Sequence, residues 1–198
     1  MTGGPETAYV FAYGSLVSGP SAAETLGRDR LVPPLPAVLS GWQRSYSLAR
    51  DNRRCEKTFA APGGEIPEIV LGMNIEPTTG SEVNGALIEV TADELDRLDR
   101  RELRYDRVDV TAAVSTPDAT AAGARVFTYV AKPANHAPLP PEGAVILSSY
   151  ERAVETAFSE LGAGQLEAFR RTTKACPVPR IEGTLVADHI PAGNPRAW

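Results

Sequence analysis

The side chains with the clearest chemical potential lie at the end of one short stretch. Thr91 offers an N-cap hydroxyl and Glu94, three residues on, completes a capping box, so a helix is predicted from Ala92 to about Arg101. On it Leu95, Leu98 and Glu102 fall at i, i+3 and i+7 and share one face, which puts a carboxylate where an apolar side chain is expected. A carboxylate buried without a cation gains affinity for protons and becomes a proton carrier near neutral pH. Paired with Arg100, Arg101 or Arg104 it is instead a structural ion pair, and the spacing leaves both readings open.

A second signal is Tyr13-Gly14-Ser15-Leu16, at the end of an apolar run. A strand stopping in a Gly-containing turn can present successive backbone N–H groups, which cradle a carboxylate or a developing oxyanion. The plain alternative is an ordinary turn. Ser15 as a nucleophile is rejected, because the G-x-S-x-G surroundings and an evident His partner are missing.

Other chemistries have poor material. His136 sits in a Pro-rich loop and His189 near the C-terminus, each isolated, so neither a metal centre nor a Ser-His-Asp triad is expected. Cys55 and Cys176 form no C-x-x-C pair and are read as free thiols without zinc. The net charge of −5 has the wrong sign for holding a polyanion, so nucleic acid is not an expected partner. No uninterrupted apolar run is long enough to span a bilayer, and Met1 to Glu6 lack a basic region and an apolar core, so a cytoplasmic protein with no membrane partner is expected.

The elements that must position Glu102 and the turn follow from periodicity. Strands are predicted at residues 8–13, 42–48, 69–75, 83–90, 107–114 and 125–130. Besides the capped helix, Tyr150, Val154, Ala157, Phe158 and Leu161 recur at helical spacing over 149–161, read as a packing helix that Gly162 stops. A short helix over 165–171 buries Leu166 and Phe169, and 183–187 is either a last strand or a surface crossing. Residues 50–68 and 132–143 are read as loops. An apolar content of 42% excludes wholesale disorder, and neither loop separates two self-sufficient cores, so one domain over 1–198 is expected, with a core at about 8–162 and a C-terminal extension at 163–198. Five or six strands on irregular spacings argue for a curled sheet or small barrel in an α+β domain. In it the strand ending at Tyr13 lies beside Val83 to Val90, so that the Gly14-Ser15 turn and Glu102 line one cavity.

Taken together, Tyr9 to Leu16, the run Val83 to Val90, Leu95-Asp96-Arg97-Leu98-Asp99 leading to Glu102 and Tyr105, Arg107-Val108, Val126 to Val130, and Ser149 to Ala153 after a Pro-rich loop resemble the gamma-glutamylcyclotransferase-like family in order and spacing. The resemblance covers roughly 8–162. It implies an α+β fold, a small mixed β-barrel of about five to seven strands with flanking helices, and release of a gamma-glutamyl group as 5-oxoproline, with Glu102 as acid/base. It also implies a turn, Tyr13, Gly14, Ser15 and Leu16, that holds the glutamyl moiety through main-chain amides, and, less directly, Tyr105 and Tyr129 on the pocket wall, each of which is alternatively a core aromatic with a satisfied hydroxyl. The expected partner is a small-molecule gamma-glutamyl substrate, with no cofactor and no metal; the oligomeric state stays open. The polar insertion at 50–68 and the extension past Gly162 depart from the smallest members and leave the leaving amine open. A non-catalytic module binding a small carboxylate or a protein, and an amide hydrolase using activated water, are the competing readings.

Overall fold

The computed structural model describes residues 8–29, 33–118, 121 and 123–190. Residues Met1 to Glu6, read above for a leader, and 191–198 of the C-terminal extension lie outside the described residues.

In chain order the elements are β1 (Ala8–Ala12), α1 (Gly19–Leu26), β2 (Leu35–Asp51), β3 (Lys57–Ala60), β4 (Ile69–Val90), α2 (Ala92–Arg101), β5 (Tyr105–Asp109), β6 (Val114–Ser115), β7 (Arg125–Ala131), β8 (Ile146–Leu147), α3 (Ser148–Leu161), α4 (Gln165–Thr172), β9 (Arg180–Ile181) and β10 (Thr184–Asp188). Six strands form one curled, half-barrel sheet in the order β5-β7-β1-β4-β2-β6, and with four helices this is the expected mixed α+β class. β1 lies antiparallel to β4, with Ala12 opposite Ala86, and parallel to β7. Buried on both sides, it reads as an apolar run and not as an alternation.

Several strand boundaries differ from those predicted. The segments 69–75 and 83–90 are one strand, β4, and 42–48 is the middle of the longer β2. These two strands pair from Leu35 opposite Leu87 to Asp51 opposite Ile69, with register shifts between Ser40 and Trp42 and between Ser45 and Leu48. Such irregularities bend and twist a ladder without ending it, which is why the polar, exposed stretch around Pro77 to Gly80 interrupts the pattern but not the strand. The strand expected at 107–114 begins at Tyr105 and ends at Asp109. Helix α1 was not predicted: Gly19-Pro20 has the composition of a turn, but Pro in the first helical positions is pre-set for the helix and has no N–H to leave unpaired. The loop at 50–68 contains β3, which pairs antiparallel with β10, so the insertion and the extension form one ribbon.

Helix α2 has the predicted capping box, with Thr91 and Glu94 bonding reciprocally. It buries Leu95 and Leu98 on its inner face. Helix α3 buries Val154, Ala157 and Phe158 against the sheet; full burial of a ring like Phe158 contributes about 1.5–3 kcal/mol. Beside it lies a buried charge, Arg44, whose guanidinium stacks on Phe158 at 4.9 Å and Phe169 at 4.6 Å and donates to the Asn84 carbonyl. Burial pushes its pKa down to about 9. Asn84 in turn donates to the Gln165 carbonyl at 3.0 Å, fastening α4 to the sheet. Among the described residues, no helix is long and apolar enough to cross a membrane.

Candidate active site

Where β1 ends, Tyr13 is buried and the chain turns through Gly14 into a single 3-10 turn, Ser15–Val17. The N–H of Val17 donates to the Gly14 carbonyl at 3.0 Å and that of Ser18 to the Ser15 carbonyl at 3.2 Å. The N–H groups of Ser15 and Leu16 come first in the turn, and so have no acceptor within it. This is the geometry that lets main chain meet an anion.

The turn opens onto a small cavity. Phe11, Ala12 and the turn residues Tyr13, Gly14, Ser15 and Leu16 form one wall. Met73 of β4, Tyr105 of β5, Tyr129 of β7 and Tyr150 of α3 form the others, and Glu102 stands among them. All seven residues singled out from sequence therefore border the same space. Met73 and Tyr150 were missed as lining residues. The Tyr150 position was legible only as part of a packing stripe, because helical phase tells which side is inward and not whether a cavity lies there.

Glu102 caps the C-terminus of α2: its N–H donates to the Leu98 carbonyl at 2.8 Å and its carbonyl accepts from the Tyr105 N–H at 2.9 Å. The last turn of the helix and the start of β5 thus both fix its backbone. Its side chain is 13% exposed, with Oε1 at 3.3 Å from the Arg101 Nε. The ion pair weighed as an alternative is therefore present, with Arg101; Arg104 instead pairs with Glu56 of the insertion at 3.0 Å. Pairing and facing the cavity are combined in one carboxylate.

The tyrosine hydroxyls are spent on structure. Tyr13 donates to the Tyr129 carbonyl at 2.7 Å, Tyr129 to Asp99 Oδ1 at 2.7 Å, and Tyr105 to the Met73 carbonyl at 2.7 Å. Tyr150 accepts from the Met73 N–H at 3.5 Å. Tyr105 and Tyr129 accordingly have satisfied hydroxyls and still line the cavity with their rings. Burial, followed by the charge of Glu102 and by Tyr150, pushes Tyr13 well above the usual phenol range, with Arg44 opposing. Tyr129 is raised by burial and then by its bond to Asp99, and Tyr150 is pushed up to about 12 chiefly by burial. At neutral pH the hydroxyls of Tyr13, Tyr129 and Tyr150 are therefore uncharged. A carboxylate and a turn whose first N–H groups are not used within it, lining one aromatic pocket, have the chemistry to hold a small anion and move one proton beside it.

His136 lies elsewhere, 3.2 Å from Glu76, and both cysteines are free, Cys55 donating to the Lys57 carbonyl at 2.8 Å. Among the described residues no group of three or more His, Cys, Asp and Glu could hold a metal ion.

The protein-family model described as gamma-glutamyl cyclotransferase, AIG2-like, matches residues 10–145. Among solved structures the chain is similar to an Arabidopsis thaliana protein at 29% identity with a TM-score of 0.43, over 66% of this chain and 66% of that one. It is similar to YkqA from Bacillus subtilis at 20% identity with a TM-score of 0.58, over 87% of this chain but only 56% of that one. A structure named gamma-glutamyl cyclotransferase matches at 17% identity with a TM-score of 0.59, over 84% of this chain and 86% of that one. The chain thus spans less than two thirds of the length of the first two, and the last two likenesses speak to fold alone. No curated protein matches the sequence.

Proposed function

Because the chain belongs to the gamma-glutamyl cyclotransferase, AIG2-like family, we propose that it cleaves a gamma-glutamyl amide to 5-oxoproline and a free amine, with Glu102 as general acid/base. The observation that carries this reading is that the Tyr13–Leu16 turn and Glu102 line one cavity.

A gamma-glutamyl amide brings its own nucleophile, since its alpha-amine can close a five-membered ring on the gamma-carbonyl. The protein has to fold the substrate up, a proximity effect, and to move one proton twice. Bound with an anionic oxygen on the Ser15 and Leu16 N–H groups, the substrate turns its ammonium toward Glu102, which takes a proton. The free amine attacks the gamma-carbon, and the ring nitrogen, which then carries a positive charge, gives up its second proton to solvent. The tetrahedral oxygen collapses, and the C–N bond to the leaving amine breaks as Glu102 returns its proton to that nitrogen. Products are 5-oxoproline and the amine, and the carboxylate is regenerated. The neutral tyrosine rings and Met73 keep the reacting carbon in an environment of low polarity, where these proton transfers and the N–H contacts count for more than in water.

One observation favours a second reading. The Arg101–Glu102 contact is what a purely structural pair would look like, and a non-catalytic module binding a small carboxylate would keep the same turn. Incubation with a panel of gamma-glutamyl amides and identification of products by mass separates the readings. Stoichiometric 5-oxoproline and amine support the cyclotransferase, release of glutamate indicates hydrolysis by activated water, and binding without turnover indicates the module.

A further inference from the structure

The chemistry proposed above makes no use of Arg101, a buried cation with 3% of its surface exposed. All three guanidinium nitrogens are engaged. Nε approaches Glu102 Oε1 at 3.3 Å, one terminal nitrogen donates to Thr25 Oγ1 at 2.6 Å, and the other donates to Ser21 Oγ at 3.3 Å. Ser21 and Thr25 stand one turn apart on α1, and the Thr25 hydroxyl gives its own proton to the Ser21 carbonyl at 2.8 Å. That bond leaves the Thr25 oxygen as a fixed acceptor for Arg101. Helix α1 begins two residues after the 3-10 turn that carries the Ser15 and Leu16 N–H groups. Among the described residues no hydrogen bond reaches the second carboxylate oxygen of Glu102.

We propose that Arg101 is a positioning residue, a strut that ties Glu102 Oε1 to α1, holds the carboxylate at a set distance from the N–H turn, and leaves the other oxygen to exchange the proton. The proposal rests on the cyclotransferase reading for its kinetic consequence but not for its geometry. A planar guanidinium suits the task because its two terminal nitrogens donate to Thr25 and Ser21 in fixed directions while Nε stays in ion-pair contact with Glu102, which an ammonium on a flexible stem does not do. The groups facing Glu102 are Arg101 from α2, Tyr13 from the end of β1, Tyr129 from β7 and Tyr150 from α3. The three tyrosines are neutral, so Arg101 supplies the positive charge at the carboxylate.

The test compares the parent with Arg101→Met, Arg101→Lys and Thr25→Val, the last keeping the arginine and removing one anchor. The expected result is a turnover lower by about 10- to 100-fold in Arg101→Met with KM changed far less, as misplacement of a reacting group by about 1 Å would produce. Arg101→Lys recovers part of the loss in turnover, and Thr25→Val lowers turnover in the same way by less. A packing role would instead lower the melting temperature with turnover and KM per folded molecule unchanged, and that result overturns the proposal. The Glu102 carboxyl carbon, followed by carbon-13 NMR and assigned with Glu102→Gln, gives a readout independent of any substrate. Its chemical shift at constant pH changes in Arg101→Met, and by less in Thr25→Val, if the strut exists, and an unmoved resonance overturns it. A moving resonance in a protein that turns over no gamma-glutamyl compound leaves the strut standing and sinks the cyclotransferase reading. Should Arg101→Met not fold, Thr25→Val decides by the same measurements.

Discussion

Gly85 of β4 lies against the backbone of β1, so close to the Ala12 carbonyl oxygen and the Phe11 ring that no β-carbon fits at that position. The obstacle is backbone, which cannot swing aside as a side-chain tip can. Gly85→Ala must push β1 away from β4, and an overpacking cost of about 2–3 kcal/mol is expected in urea unfolding. Because β1 delivers the Tyr13–Leu16 turn, the fraction that stays folded is expected to turn over substrate more slowly. A variant as stable as the parent would show that the two strands do not approach this closely.

Gly14 makes the contrasting case. Its φ of −139° is available to any residue, and an added β-carbon would meet the Tyr150 hydroxyl at 3.5 Å and the Met73 β-carbon at 3.7 Å, ordinary contact distances. Those neighbours are cavity walls. Gly14→Ala is therefore expected to change stability by no more than about 0.5 kcal/mol, while KM rises about tenfold or more because a methyl group occupies substrate space. Unchanged KM would mean that the substrate does not pass this point.

Glu102→Gln keeps the shape and leaves Arg101 an acceptor, but cannot carry a proton. Turnover lower by about 10²–10⁴-fold is expected, with KM altered modestly. Removal of a purely structural partner of Arg101 would instead cost about 3–5 kcal/mol of stability and spare the rate per folded molecule. Steady-state kinetics together with thermal melts tell the two apart.

Ser15→Ala tests whether the turn works through main chain. Its N–H survives the substitution, so a loss smaller than about tenfold is expected, whereas a serine nucleophile would lose nearly all activity.

The start of α2 should be the acid-sensitive part of the fold. Burial raises the Glu94 pKa, but hydrogen bonds from Arg28 at 2.5 and 2.6 Å and from the Thr91 N–H at 2.8 Å outweigh it, so the net shift is downward. A carboxylate with a lowered folded pKa contributes stability that is complete above its unfolded value and disappears as pH falls through the folded one. Below about pH 4.5 the parent is expected to lose this contribution while Glu94→Gln, destabilised by about 1–2 kcal/mol at neutral pH, loses little more. Parallel stability curves for the two proteins between pH 7 and pH 3 would contradict this.

What could be read from the chain beforehand was local. The capping box at Thr91 and the phase of Leu95, Leu98 and Glu102 depend on residues within three turns of one helix, and the structure reproduces them. Helix α1 was lost because Gly19-Pro20-Ser21 has the composition of a turn, and the continuity of β4 was lost because an exposed polar stretch looks like a loop until its partner strand is known. Pairing of β3 with β10 joins residues more than a hundred positions apart, and neither strand has a pattern strong enough to announce it. At the site, the residues singled out from sequence border one cavity, but which arginine meets Glu102 depends on Ser21 and Thr25, contributed by the helix that was missed.

The central place of β1 bears on how the chain is made. Its one edge pairs with β4 and its other with β7, and the Thr128 hydroxyl reaches the Phe11 carbonyl across 117 residues. During synthesis the first strand leaves the ribosome and waits, apolar on both faces, until β7 follows it out. Through most of translation it is an unpaired edge of the kind that recruits neighbouring nascent chains into aggregates. Chains stalled after residue 118 should thus be protease-sensitive and prone to co-aggregation even though Glu102 has already been made, and chains extended past Ala131 should become more resistant before the cavity is complete, since its Tyr150 wall is made later.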